Sequence, residues 1–228
     1  MPFSPDDLQA IWLTLQLAGL TTAVLLLLAT PLAWWLARSG SRWRAPVGAV
    51  VALPLVLPPT VLGYYLLVAM GGASPVGQFY ESVFGKPLVF SFEGLLLASV
   101  IFNIPFAIQP MQRGFEAIAP EVRDAAACCG LSRWRTLWRI ELPLAWPGVL
   151  SAVVLTFAHT LGEFGVVLMV GGSIPGETKT VAIAIYDRVQ AFDTAGAGVM
   201  SAALLLISLV AIGAAYFTHA RSRIRRYG

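Results

Sequence analysis

The sequence predicts an all-α, polytopic membrane protein, and three observations carry that prediction. Hydrophobic residues make up 57% of the 228-residue chain and charged residues only 12%, against roughly 25% charged in an ordinary soluble domain. The apolar residues gather into five long runs. The basic residues fall between those runs, mostly on one side. A soluble fold of this size lacks the interior to hide so much apolar surface, so lipid must be the solvent for much of the chain. The net charge of +3 does not point to nucleic acid, because membrane topology already accounts for where the basic residues sit.

The chain opens as a helix start and not as a cleavable signal peptide. Residues 1–37 contain no Lys or Arg, so there is no basic leader region, and the apolar run that follows is too long for a signal core. Ser4 suits a cap, Pro5 the first helical position, and Asp6 and Asp7 the positive helix end. The first span runs from about 8 to 37. It exceeds the roughly 20 residues a bilayer needs, which predicts a tilt or a bend at Pro31. The second span covers about 45–70 and holds Pro54, Pro58 and Pro59; the third covers about 94–111, with Pro105 inside. The fourth covers about 147–170 and the fifth about 195–216. A sixth segment, 178–190, is apolar only over 181–185, too short to cross, and is expected as a short helix outside the bilayer. No internal repeat interrupts this pattern, so residues 1–228 are expected to form one transmembrane domain.

Orientation follows from the loops. Arg38, Arg42 and Arg44 follow the first span; Arg113, Arg123, Arg133, Arg135 and Arg139 follow the third; Arg221, Arg223, Arg225 and Arg226 form the tail. Those are 12 of the 15 Lys and Arg residues, leaving Lys86, Lys179 and Arg188 for the other side. The positive-inside rule then places the N-terminus outside and the C-terminus in the cytoplasm of a multi-pass inner-membrane protein.

The loop at about 112–146 is the longest on the basic side and the most structured. Residues 121–129 are good helix formers, and Gly130 suits the position just past a helix end. Ser132 can open a second helix, on which Trp134 and Trp138 form one stripe and Arg135 and Arg139 the next. Such a helix suits the membrane surface, with its rings at headgroup depth. A structured loop of this length suits a docking surface for a soluble partner. Adjacent Cys128 and Cys129 lack the spacing of a zinc site or a disulfide framework and are expected to be small buried or reduced thiols.

Asp124-Ala125-Ala126, Gly130 and Ile140-Glu141-Leu142-Pro143 resemble the "EAA" loop of ABC importer permeases. Every spacing fits; Asp124 stands where that family has Glu. Leu53-Pro54-Leu55-Val56-Leu57-Pro58-Pro59 with Gly63-Tyr64 is similar to the second-span signature of molybdate permeases. Leu161-Gly162-Glu163-Phe164-Gly165 and Ile174-Pro175-Gly176-Glu177-Thr178-Lys179-Thr180 resemble the same family and, more weakly, sulfate permeases. The resemblance implies a type I ABC importer permease fold in a homodimer. It also implies two cytoplasmic ABC ATPase subunits that carry the ATP and Mg, and an extracytoplasmic oxyanion-binding protein. Asp124, Ala125, Ala126, Gly130, Ile140, Leu142 and Pro143 would then form the ATPase-coupling loop. Molybdate is the implied cargo, with tungstate and sulfate or thiosulfate as alternatives. No cofactor is expected in this chain.

Within the spans, Glu163 is the only acidic residue, and an intramembrane carboxylate is costly enough to suggest a function. It would repel an oxyanion. It can pair with a buried cation or with His159, one turn away; it can accept hydrogen bonds from broken backbone near Gly162 and Gly165; or it can be protonated. A structural or gating role fits best. His159, Asn103, Pro58 and Pro59 join it as candidate pathway or gate residues, since prolines free carbonyls and Asn bonds between helices.

Two other classes are weighed. A membrane enzyme needs a catalytic group at the membrane face, and one acid with one histidine is a poor set. A secondary transporter usually shows two related halves, which this chain lacks. Hydrolysis of ATP by the chain itself is not expected: it has no phosphate-binding loop, and its one Gly-Lys pair, Gly85-Lys86, is followed by Pro87.

Overall fold

The capping of the first helix follows the predicted pattern. The computed structural model describes the backbone of residues 4–227 and the side chains of residues 4–213; the basic tail residues Arg221 to Arg226 fall outside the described side chains. Helix α1, Pro5–Arg38, begins with a capping box in which Ser4 N–H donates to the Asp7 carboxylate at 2.9 Å and Asp7 N–H donates to Ser4 Oγ at 3.3 Å. At 34 residues it is about 51 Å long, well beyond the roughly 30 Å hydrocarbon core. It passes Pro31 without a break. Thr14, Thr22 and Thr30 donate their hydroxyls to carbonyls four residues earlier, which hides these polar groups inside the helix.

The second expected span is not one rod. Helix α2, Arg44–Val56, and helix α3, Pro59–Met70, meet at 110°. A residue that precedes a proline is disfavoured in the α region, and two successive ones leave it here. Leu57, before Pro58, has ψ 135°, and Pro58, before Pro59, has ψ 136°. Two extended residues in a row turn the chain, and α3 restarts with Pro59 in its first turn. Helix α4, Pro75–Phe84, follows; helix α5, Phe92–Glu116, is longer than the expected 94–111 and runs through Pro105 and Pro110.

The basic-side loop contains helix α6, Pro120–Cys128, then α7, Arg133–Thr136, a π segment, Leu137–Glu141, and α8, Leu142–Leu144. The fourth expected span also breaks. Helix α9, Trp146–Leu161, stops at Gly162, and a seven-residue helix α10, Gly165–Gly171, resumes after Phe164. By length and composition, α9 passes as a span together with the preceding 133–144 segment, bent by 70°, and not with α10. Helix α11, Val181–Gln190, is the short helix expected at 178–190, and α12, Thr194–Tyr227, is the last. Three helices, α1, α5 and the described part of α12, are long and apolar enough to cross a membrane, and the two bent pairs raise the number to five. No strand occurs among the described residues.

Helices α1, α5 and α9 pack on one another as the central unit, with α10 wedged against α3 and α5. A Cβ on Gly148 of α9 would lie 2.6 Å from the Pro110 carbonyl oxygen of α5, so these helices cross with their backbones in contact.

Charge is sorted to the two ends of α1. At its first turn Asp7 pairs with Arg188 at 2.6 Å, and Lys179 pairs with Asp187 of the same α11 helix at 2.8 Å. Around its last turn lie two ion-paired groups, Arg38–Glu141–Arg123 and Arg44–Glu116. Burial pushes the Asp187 carboxyl up, but hydrogen bonds from Lys179 and Ser173 outweigh it and hold Asp187 below the ordinary aspartate value. A depressed folded value means stabilisation that is fully present above the ordinary range and lost as pH falls through the folded value. Protection of the α11 amides from hydrogen exchange, relative to the intrinsic rate at each pH, is therefore expected to fall in acid, and Asp187→Asn is expected to show the lower protection already at neutral pH.

Candidate functional site

The 112–146 loop forms a platform at the Arg38 end of α1. Glu121, Asp124, Ala125 and Cys128 lie at offsets 0, 3, 4 and 7 along α6 and are all exposed, while Ala126 is buried and Val122 packs on the core. The outward face is therefore small and acidic. The helix ends in a Schellman motif: Leu131 N–H donates to Ala126 O at 3.1 Å and Gly130 N–H to Ala127 O at 2.9 Å. Gly130 has φ +73°, the left-handed conformation this motif requires and glycine adopts without strain. Both cysteines are free thiols and exposed, so of the two expected readings, buried or reduced, it is burial that fails: Cys128 sits on the outward stripe. Leu142 packs on the core, Ile140 is half-buried and Pro143 is exposed.

Beneath the platform lies a carboxylate that the sequence reading passed over. Glu141 is 1% exposed. Arg38 Nη1 is 2.8 Å and Arg123 Nε 3.3 Å from its Oε1, and Trp34 Nε1 donates to its Oε2. Arg123 also donates to the Ile118 carbonyl at 3.0 Å. One carboxylate thus joins the end of α1, helix α6 and the π segment. The available signal was an acid set among apolar residues in a loop with many arginines.

The second feature lies deeper, where the two helix breaks meet. A Cβ on Gly165 would sit 2.8 Å from Pro59 Cβ, so the start of α10 touches the start of α3. A cleft of about 450 Å³ opens there, lined by Pro59, Phe102, His159, Glu163 and Phe164 among others. Pro58 is the extended residue that sets the bend beside it. Asn103, fully buried on α5, donates Nδ2 to Ser99 O at 2.8 Å and to Glu163 Oε2 at 3.3 Å. Both amide hydrogens are then used, so its Oδ1 accepts from His159 Nδ1 at 3.0 Å. The His159 ring stacks on Phe106, with centroids 3.9 Å apart. The structure therefore places Asn103 between His159 and Glu163, where direct pairing of the two was one of the sequence-based alternatives. Glu163 is 5% exposed, and its Oε1 has no hydrogen-bond partner among the described residues.

The profile of binding-protein-dependent transport system inner membrane components matches residues 29–226. The chain belongs to that family. The molybdenum transport system permease protein ModB of Azotobacter vinelandii is 50% identical over 216 residues, covering 95% of this chain and 96% of that one. ModB of Escherichia coli K12 is 36% identical, covering 92% and 90%. A probable sulfate transport system permease protein, cysT, of Chlorella vulgaris is 31% identical, covering 90% and 77%. Among solved structures, a bacterial alginate ABC transporter in complex with an alginate pentasaccharide-bound periplasmic protein superposes with TM-score 0.74 at 19% identity, covering 98% and 81%. An amino acid ABC transporter superposes with TM-score 0.63 at 16% identity, covering 95% and 94%. At these identities the two structures establish the fold, that of an inner membrane component of an ABC transporter.

Proposed function

We propose that this chain is the permease subunit of a molybdate importer, driven by ATP hydrolysis on a separate subunit. The observation that carries the reading is the 50% identity to a molybdenum transport permease over nearly the whole length of both chains. Helix α6 supports the division of labour. Its exposed Glu121–Asp124–Ala125–Cys128 stripe is low enough for close contact with a partner groove, and Gly130 lets the chain turn away beneath it. In this reading α6 is the coupling helix, the Arg38 end of α1 is cytoplasmic, and the N-terminus is outside. Asp124, Ala125 and Gly130 make the docking surface, with Ala126 turned inward beneath it, while Ile140, Leu142 and Pro143 lead back into the membrane.

The working unit is two copies of this chain, two cytoplasmic ATPases holding ATP and Mg, and an extracytoplasmic oxyanion-binding protein. Closure of the ATPases moves the docked helices as rigid bodies and switches the spans between two states. The Pro58–Pro59 and Gly162–Phe164 breaks, with Asn103, His159 and Glu163, form the gate. Glu163 would repel an oxyanion, which suits a gate and not a cargo ligand.

Uptake of labelled molybdate by the reconstituted complex tests the cargo. Tungstate, of the same shape and charge, is expected to compete, and sulfate to compete poorly. Efficient competition by sulfate would favour the second reading, a sulfate permease, to which the Chlorella relative points.

A further inference from the structure

If α6 is gripped by a motor, its movement must reach the spans. Backbone alone transmits it poorly, because residues 117–119 and 129–132 on either side of α6 are turns and extended chain. The side chains supply a firmer link. Arg123, on the inward face of α6, reaches the carbonyls of Phe115 and Ile118 at the end of α5 and lies 3.3 Å from Glu141. Glu141 in turn holds Arg38 at 2.8 Å and accepts from Trp34, both in the last two turns of α1. Trp34 is also stacked on Trp134 of α7, with centroids 6.1 Å apart.

The π segment at Leu137–Glu141 turns Leu137 and Glu141, four residues apart, inward together, while Trp138 and Arg139 stay exposed. Helix α1 then crosses to the other face, where Asp7 grips Arg188 of α11. A buried carboxylate held by two guanidiniums resists separation, because breaking one contact leaves an uncompensated charge.

We propose that Glu141 is a positioning residue that passes the movement of α6 to α1. This inference rests on the coupling-helix reading above and goes beyond it by naming the path. It is tested in the complete complex, reconstituted with its binding protein and ATPase, by measuring ATPase retention, ATP hydrolysis and oxyanion uptake. Glu141→Gln and Arg38→Gln are expected to keep the ATPase bound and hydrolysing while uptake per ATP falls roughly 5-fold or more. Arg38→Gln leaves Glu141 paired with Arg123 and bonded to Trp34, so it weakens the tie to α1 without stranding a buried charge. Glu141→Asp is expected to restore part of the coupling.

Undiminished uptake per ATP in an assembled, hydrolysing Glu141→Gln complex would overturn the inference alone. Failure of both Gln variants to assemble would make the cluster a folding element and overturn it too. An unmodified chain that retains no ATPase would instead sink the coupling-helix reading, and this inference with it.

Discussion

A Gly130→Trp permease is expected to fold and insert normally, to lose its ATPase on purification, and to show background uptake. The fold survives because nothing lies within 4 Å of a Cβ placed at Gly130. The local cost is left-handed strain, φ being +73°, about 1–2 kcal/mol for an L residue. The damage comes from outside the chain: an indole at the exposed end of α6 occupies the space through which a partner must approach. Gly130→Ala carries the same strain without the bulk, so it separates the two effects and is expected to keep most of the ATPase. Co-purification and uptake are the measurements. A Gly130→Trp complex that assembles and transports normally would remove α6 from the docking interface.

Substitutions in the Asn103 chain are expected to give the second large effect. Asn103→Leu removes the partner of both His159 and Glu163, leaving two polar groups beside the cleft without their bonds. Each orphaned group costs about 1–3 kcal/mol, so the variant is expected to unfold at a clearly lower temperature in detergent. Glu163→Gln is the gentler probe. Its amide oxygen still accepts from Asn103 Nδ2, so the fold is expected to hold. A weakening of that bond by about 1.4 kcal/mol would weaken a gate state roughly tenfold, read as slower uptake. Unchanged uptake in Glu163→Gln would take Glu163 out of the mechanism.

Much of this was legible in the sequence because its signals are local. The capping box at Ser4 and Asp7, the end of α6 at Gly130, the Ser132 start of α7 and the short α11 all follow from nearest-neighbour chemistry. The prolines announced a bend, but its 110° size depends on two successive pre-proline residues, Leu57 and Pro58, turning extended together. The end of α9 at Gly162 was less legible, since Leu161 to Val170 reads as apolar helix apart from Glu163 and its glycines. The parts of the candidate sites that stayed hidden are long-range. Glu141 lies 103 residues from Arg38, and Asn103 56 residues from His159. No periodicity brings such pairs together. Only the packing of α1, α5 and α9 does.

The central claim is that a separate ATPase covers the outward face of α6. Cys128 lies on that face and is exposed, which makes it a native reporter once Cys129→Ser removes its neighbour. The rate of maleimide labelling at Cys128 is expected to be fast in the isolated permease and strongly slowed in the assembled complex. Equal rates with and without the ATPase would contradict the account.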